Sequence, residues 1–358
     1  MRPPVTVGIV GLGPRGHRFA EALDGLRDCE LDRLCTDGPN VPDWTDRFPR
    51  AAATRSLEDL LADERLDAVV ITGRLEERPR QIGAALAMGK HVLVDGPLSR
   101  FADEAFELAS SARAFGRCLV SETAPFDPGL RKLKELITTG QLGDVFHLYL
   151  TNQRFGQIDE DCDVLWSVGP QEIATILYLL GDVPVSASAW GESYLRAGLS
   201  DVMYGFLRFA TGITAHLHLS WLDPQEVHRL AVAGSQQMAV YDSSCPEQPL
   251  ALFDHEVAFA STDLHRQAVQ VTPGGLTIPR FPAEDGFLVL AQTFLSAVRR
   301  GRPVEAALGH AVNVASTLEA LQSSVDAGGA PKEVAPPLPR LRNVVALLGG
   351  SRPVRRSR

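Results

Sequence analysis

The chain has 358 residues, with 45% hydrophobic and 22% charged side chains and a formal net charge of −9. One core rarely grows to this size, so two domains are expected. The acidic balance excludes a general nucleic-acid binder, since no basic stripe faces phosphates, and no apolar run reaches the length of about 18 residues that a membrane span needs.

Five scattered cysteines without CxxC spacing fit buried thiols in a reducing cytoplasm, not a disulfide framework or a zinc site. The start, MRPPVTVGIVGLG, carries no long apolar leader. Cytoplasmic localisation is therefore expected. The basic run RPVRRSR at the C-terminus is either a solvated tail or an anchor for an acidic partner.

In chain order, VTVGIV predicts a strand, GLGPRG a tight turn and HRFAEALDGL a helix. ELDRLCTDG is a second strand, and SLEDLLAD a short helix capped by Ser56. LDAVVITG, an unbroken apolar run, is a strand buried on both faces. RPRQIGAALAMGK is a helix closed by Gly89, HVLVDGP a strand, ADEAFELASSARAFG a helix and RCLVSETA a strand. This alternation through about residue 124 predicts a parallel, doubly wound α/β domain.

The pattern then changes. DPGLRKLKELITTGQLG and VLWSVGPQEIATILYLLG are predicted helices. DVFHLYLTNQ, VSASAWGES, DVMYGFLRFATGITAHLHLSWL and HRLAVAGSQQMAVYDS are predicted strands, the third folded at Thr211-Gly212. A final helical pair covers EDGFLVLAQTFLSAVRRG and LGHAVNVASTLEALQSSVDAGG, before a Pro-rich stretch from 331. The expected organisation is a Rossmann domain over 1–124 and an α+β domain over 125–330 with a large, mainly antiparallel open sheet. The final helices either stay with the second domain or pack back on the first, and 331–358 form a tail.

Gly11-Leu12-Gly13-Pro14-Arg15-Gly16 is G-x-G-x-x-G between a strand and a helix. Its glycines serve in turn the tight bend, close approach of a pyrophosphate and helix–strand packing. Helix N–H groups would receive the phosphates. Asp37 stands where a carboxylate grips the ribose 2′-OH, favouring NAD over NADP, although Arg33 leaves NADP open.

With GKHVLVDGPLS, FDPGLRKLKELITTGQLGDV, VLWSVGPQEIATILYLLGDVPVSASAWGESYL and LHLSWLDPQEVHRLAVAGSQQMAVYD, the chain resembles the Gfo/Idh/MocA oxidoreductase family over nearly its full length. The last two blocks are most similar to its nucleotide-sugar and polysaccharide-type sugar dehydrogenases. The resemblance implies an NAD(P) cofactor, a sugar- or cyclitol-like substrate and an active site between the domains. It also implies a homodimer or homotetramer built through the open sheet. Thr72, Gly73, Asp95, Gly96 and Pro97 would join the glycine turn in holding the cofactor.

The reacting positions depart from that family. It carries Glu-Lys-Pro where Asp95-Gly96-Pro97 stands, and an Asp and a His where Ser167 and Gln171 stand. Glycine has no side chain, Gln does not exchange a proton at physiological pH, and Ser is a poor base without an activating partner. The remaining polar candidates are Glu122, Glu172, Ser167 and Gln171 for catalysis. Asn152, Arg154, Gln157 and Trp166 are candidates for substrate. Glu172 also reads as charge compensation at a helix start, Trp166 as packing, and His216 and His218 as an oligomer contact on one sheet face. Three functions remain open: an oxidoreductase with replacement proton-handling groups, a cofactor- or sugar-binding pseudoenzyme, and a non-redox isomerase, lyase or cyclase.

Overall fold

The computed structural model describes residues 3–36, 41–115, 118–121, 123–156, 158–159, 162–245, 247–259, 269–301 and 305–335. Three expected site residues, Asp37, Glu122 and Gln157, lie outside these segments, as does the basic C-terminal run. The chain divides into two units: Met1–Asp127 with Glu284–Glu319, and Pro128–Ala283 with Ala320–Pro336.

The first unit begins with β1 (Val5–Val10), α1 (Pro14–Asp24), β2 (Cys29–Cys35), α2 (Val41–Arg47), β3 (Ala52–Thr54) and α3 (Leu57–Ala62). It continues with β4 (Ala68–Ile71), α4 (Arg78–Ala87), β5 (His91–Asp95), α5 (Ala102–Phe115) and β6 (Cys118–Ser121). The strands form a parallel sheet in the order β3-β2-β1-β4-β5-β6, the doubly wound arrangement. Every residue of β4 is buried, as an apolar strand covered on both faces requires.

Local chemistry sets the helix ends. Ser56 accepts the Asp59 N–H and so caps α3. Lys90, buried, donates its Nζ to the carbonyls of Asp63 and Leu66, which ties the loop after α3 to β5. The lysine of GKHV therefore has a structural task.

The sequence pattern did not anticipate α2 or β3. The structure packs His17 edge-on against Trp44 and Phe48 of α2, with ring centroids 5.1 and 6.1 Å apart. The late helices α9 (Gly286–Arg300) and α10 (Glu305–Asp326) contribute to the cores of this unit. Leu290, Phe294 and Leu295 join the cluster around β1 and α1, and Leu308, Val312 and Ala315 join that around α4 and α5.

The second unit contains α6 (Pro128–Thr138), β7 (Val145–Phe155), α7 (Val164–Ser167), α8 (Gly169–Leu180), β8 (Pro184–Glu192), β9 (Val202–Phe209) and β10 (Thr214–Ser220). β11 (Leu222–Gly234), β12 (Met238–Asp242), β13 (Leu250–Phe259), β14 (Val269–Thr277) and the two-residue β15 (Lys332–Glu333) complete it. These strands form a nine-stranded sheet, β14-β13-β12-β11-β7-β10-β9-β8-β15, antiparallel except at β7/β10.

Four expectations change here. The single helix expected over 164–181 is two, because Pro170 lacks an N–H and opens α8 after a break at Val168. The strand expected over HRLAVAGSQQMAVYDS is two, because Gly234 meets the carbonyls of Leu142 and Gln237 so closely that a Cβ there would lie 2.1 Å from Leu142 O. β13 and β14 extend the sheet beyond its expected edge. The Pro-rich stretch begins as a strand, with Lys332 and Glu333 paired to Ala187 and Ser186. Among the described residues, no helix is long and apolar enough to cross a membrane.

Candidate functional site

In the first unit the glycine turn is held by sterics. Gly11 has φ +93°, and a Cβ on it would sit 2.6 Å from Gly73 N. A Cβ on Gly16 would sit 2.2 Å from Gly11 O and 2.9 Å from Thr72 Oγ1. Thr72 Oγ1 donates to Gly11 O at 2.7 Å, so Thr72 and Gly73 brace the turn from the end of β4.

Gly13 differs, because a Cβ on it would meet nothing within 4 Å. Pro14 opens α1, and Gly13 precedes it without a side-chain cap. That open, uncapped helix start is the cradle a dinucleotide pyrophosphate needs. Leu12 packs partly against the β1–α1 core.

Arg15 Nε and Nη2 donate to the two carboxylate oxygens of Asp95 at 2.7 and 2.5 Å, joining the turn to the end of β5. Beyond Asp95 the backbone turns left-handed at Gly96, φ +89°. A Cβ there would lie 3.2 Å from Arg78 Nη1. The Arg78 guanidinium donates to Pro97 O at 2.8 Å and to Gly73 O at 3.0 Å, so it spans the loops after β4 and β5. A guanidinium thus lies against the position where the resemblance expects a lysine side chain to begin. Unlike lysine, whose ammonium can be tuned by burial to give up its proton, arginine keeps its proton in proteins. Arg33, considered for a 2′-phosphate, pairs with Asp63 at 2.6 Å and with Asp32.

The second unit assembles a separate polar cluster on the helix-facing side of β7. Glu172, in the first turn of α8, is 3% exposed, and Asn152 on β7 is 4% exposed. Asn152 Nδ2 donates to Glu172 Oε1 at 2.6 Å, and His228 Nε2 lies 3.2 Å from Glu172 Oε2. Asn152 and His228 are cross-strand partners in the β7/β11 register, so one residue pair grips both carboxylate oxygens. Arg154 Nη2 donates to Asn152 Oδ1 at 3.3 Å, which directs the Asn152 amide NH2 toward the carboxylate.

Burial alone would raise the Glu172 carboxyl. The charge of His228, the hydrogen bonds from His228 and Asn152, and Arg154 outweigh it and hold the group below its ordinary range. A buried carboxylate with this many partners exceeds what charge compensation at a helix start requires.

Of the expected site residues, the structure brings together Asn152, Arg154 and Glu172. It likewise groups Gly11, Gly16, Thr72 and Gly73, and pairs Arg15 with Asp95. Ser167 ends α7 exposed, while Gln171 lies in α8, so the two stand on successive helices. Trp166 is 5% exposed, and its Nε1 donates to Gln322 Oε1 at 3.0 Å, which makes it a packing residue and not a stacking platform. Asp163 caps α7 by accepting the Trp166 N–H. His216 and His218 share the opposite sheet face with Tyr149 and Tyr204, at ring distances of 4.3 and 4.4 Å.

His228 was not singled out from sequence. The signal was its parity: it alternates with Leu230 and Val232, both buried, and so points inward with them.

An NAD-binding Rossmann model of an oxidoreductase family matches residues 5–123, and the GFO/IDH/MocA C-terminal domain model matches residues 130–240. The chain belongs to the Gfo/Idh/MocA oxidoreductase family. Residues 5–123 of its first unit are the NAD-binding Rossmann domain of that family, and the open start of α1 fits the cofactor.

Within the Gfo/Idh/MocA family, 1,5-anhydro-D-fructose reductase from Ensifer adhaerens is 28% identical over 46% of this chain and 53% of its own length. Inositol 2-dehydrogenase from Gluconacetobacter diazotrophicus is 29% identical over 42% of this chain and 47% of its own. The chain therefore spans about half the length of these two relatives. The solved structure of GenD2 from gentamicin A biosynthesis, in complex with NAD, superposes with a TM-score of 0.78 at 22% identity, covering 94% of this chain and 98% of that one. At that identity the likeness shows the fold alone.

Proposed function

We propose that the chain is an NAD-dependent oxidoreductase of a sugar- or cyclitol-like substrate, and that its proton handling does not use the lysine, aspartate and histidine expected of its family. The observation that carries this reading is the coexistence of two features. One is a glycine turn sterically restricted to glycine at Gly11 and Gly16 and open at Gly13. The other is a buried, ionised Glu172 gripped by Asn152 and His228.

When bound, NAD accepts the hydride of a secondary alcohol. Gly13 and the start of α1 would hold its pyrophosphate, with Arg15 and Asp95 setting the shape of the turn. Arg154 and Asn152 supply directional donors of the kind that orient sugar hydroxyls. The named activities of the relatives, on 1,5-anhydro-D-fructose and on inositol, support the substrate class.

The exposed Tyr149, Trp190, Tyr204 and Phe206 of the second sheet fit a homodimer or homotetramer formed through that face. Sedimentation velocity on the purified protein tests this; a monomer at micromolar concentration counts against it.

The decisive assay follows reduced-nicotinamide absorbance with NAD and a panel of myo-inositol, 1,5-anhydro sugars and nucleotide sugars, beside calorimetric titration with NAD. Turnover of at least one compound is expected. NAD binding with no turnover across the panel would favour a second reading, a cofactor-binding protein without catalysis. The glycine at position 96, with its left-handed backbone, is the observation on that side.

A further inference from the structure

Ser243, His228 and Glu172 form a hydrogen-bonded chain from the exposed surface to a buried carboxylate. Ser243 Oγ lies 2.6 Å from His228 Nδ1, and His228 Nε2 lies 3.2 Å from Glu172 Oε2. The backbone fixes the outer end twice: His228 N donates to Ser244 Oγ at 3.0 Å, and Ser243 N donates to His228 O at 3.1 Å. At the inner end Asn152 holds the second carboxylate oxygen, so Glu172 cannot rotate away from the imidazole.

An ionised carboxylate accepts only, so it takes the Nε2–H tautomer as its donor. In the neutral imidazole, the state that can take up a proton, Nδ1 is then an acceptor facing the serine hydroxyl. The chain is thereby oriented to move a proton inward from Ser243.

The location of this chain is informative. Glu172 directly follows Gln171, which stands where the family resemblance expects a histidine. His147, His216 and His218 belong to the other face of the sheet, against Tyr149 and Tyr204. On the face that carries Asn152 and Arg154, the imidazole joined to α8 is that of His228. The charged groups on the elements around it are Glu172 on α8, Arg154 on β7, Asp223, Glu226 and Arg229 on β11, and Asp242 on β12.

We infer that His228 is the proton acceptor of the oxidation proposed above, reached through the Ser243 hydroxyl and held in its working tautomer by Glu172. The inference rests on that reading. Bound NAD would supply the oxidant, taking up the electron pair of the carbinol C–H bond. The substrate O–H proton passes to Ser243 Oγ as the Ser243 proton moves to His228 Nδ1. The carbon is oxidised to a carbonyl, the dinucleotide is reduced, and the released proton rests on the imidazole beside a carboxylate that stabilises it. Glu172 and Asn152 are positioning residues in this arrangement.

The test has two arms. Histidine NMR titration of the full chain reads the imidazole of His228 without any substrate, assigned by its loss in His228→Gln. Glu172→Gln is expected to lower its pKa by about one unit or more, because the opposing charge is removed. An unchanged value overturns the inference.

The second arm measures kcat against pH with NAD and whichever panel compound turns over. His228→Gln is expected to lower kcat by about 100-fold or more and to flatten the limb on which kcat falls with decreasing pH. Its calorimetric NAD affinity is expected to stay unchanged. Ser243→Ala, at an exposed position, is expected to lower kcat with KM preserved, while His216→Gln on the opposite face leaves both as they were. His228→Gln with the parent's rate and pH profile overturns the inference and leaves the oxidoreductase reading standing. A parent chain that binds NAD and turns over nothing overturns both.

Discussion

Arg15 and Asp95 clamp the glycine turn to the end of β5 through two parallel hydrogen bonds of 2.7 and 2.5 Å. The Asp95 carboxylate is almost wholly buried, and the Arg15 guanidinium also lies 4.9 Å from the centre of the Phe287 ring. Removing the guanidinium strands a buried carboxylate, which costs about 3 kcal/mol. Arg15→Gln is therefore expected to destabilise the protein by that order in urea unfolding. Adding Asp95→Asn should recover a good part of the loss, and strict additivity of the two changes would contradict the pairing.

The glycines of the turn separate folding from binding. Gly11→Ala drives a Cβ into Gly73 N at 2.6 Å on a left-handed backbone, and both folding and cofactor binding are expected to fail. Gly13→Ala meets nothing within 4 Å. Its melting temperature should match the parent's while its NAD affinity falls, because the methyl occupies the approach of the pyrophosphate. Equal NAD affinity in a folded Gly13→Ala variant would place the phosphates elsewhere.

Restoring a lysine at position 96 meets two obstacles. The backbone there has φ +89°, and the new Cβ would lie 3.2 Å from Arg78 Nη1. Gly96→Lys is expected to cost about 1–2 kcal/mol, as non-glycine residues in that region do. Combining it with Arg78→His should lower the cost but not abolish it, since the backbone term persists. Thermal melts of the single and double variants measure the difference. A neutral Gly96→Lys would show that the turn relaxes freely.

Asp201 predicts an acid limb in stability. Its carboxylate accepts the N–H groups of Tyr194 and Leu195 at 2.6 and 2.7 Å and Trp221 Nε1 at 2.8 Å. Burial works to raise its carboxyl, but these bonds and Arg196 prevail and lower it. The unfolded chain then binds more protons, so this stabilisation is complete above about pH 4 and is lost as pH falls through the lower folded value. Asp201→Ala should cost about 3 kcal/mol at pH 7 by orphaning three donors. It should also flatten the acid limb in chemical denaturation; an unchanged limb would assign it to other carboxylates.

Lys134 predicts a second rise of stability with pH, at the alkaline end. Burial lowers its ammonium to about 8, with one hydrogen bond to Leu179 O at 3.0 Å. Here too the unfolded chain binds more protons, now between pH 8 and 10.5, so stability rises with pH across that window. Lys134→Met should be about 1–2 kcal/mol more stable than the parent at pH 7, since a buried cation is exchanged for an apolar side chain of similar length. That advantage should shrink as pH rises from about 8 toward 10.5. Destabilisation by the methionine at pH 7 would mean that the Leu179 hydrogen bond outweighs the desolvation.

Much of this protein is readable along the chain because the controlling physics is local. Alternating strands and helices, the glycine turn, the Ser56 cap and the hairpin at Thr211-Gly212 depend on residues within a few positions of one another. The roles of Gly11 and Gly16 follow from a turn whose geometry admits no Cβ. The break at Val168 was equally local, signalled by Pro170, but the strong apolar periodicity around it masked the signal. Short, weakly patterned elements such as α2 and β3 carry too few residues to declare themselves.

The polar cluster of the second unit belongs to the other category. Glu172 in isolation is an acidic residue in a helical first turn, and His228 is one imidazole in a long strand. What makes them a pair is the register that sets His228 opposite Asn152, together with the packing of α8 on that face. In the same way, Arg78 comes to lie against Gly96 only when the loops after β4 and β5 adjoin in a parallel sheet. Sequence alone determined the fold, the family resemblance and the dinucleotide turn, because those rest on periodicity and backbone sterics. Tertiary structure alone decided which side chains meet as hydrogen-bond partners, because a contact between residues 56 apart requires the whole sheet to be in place.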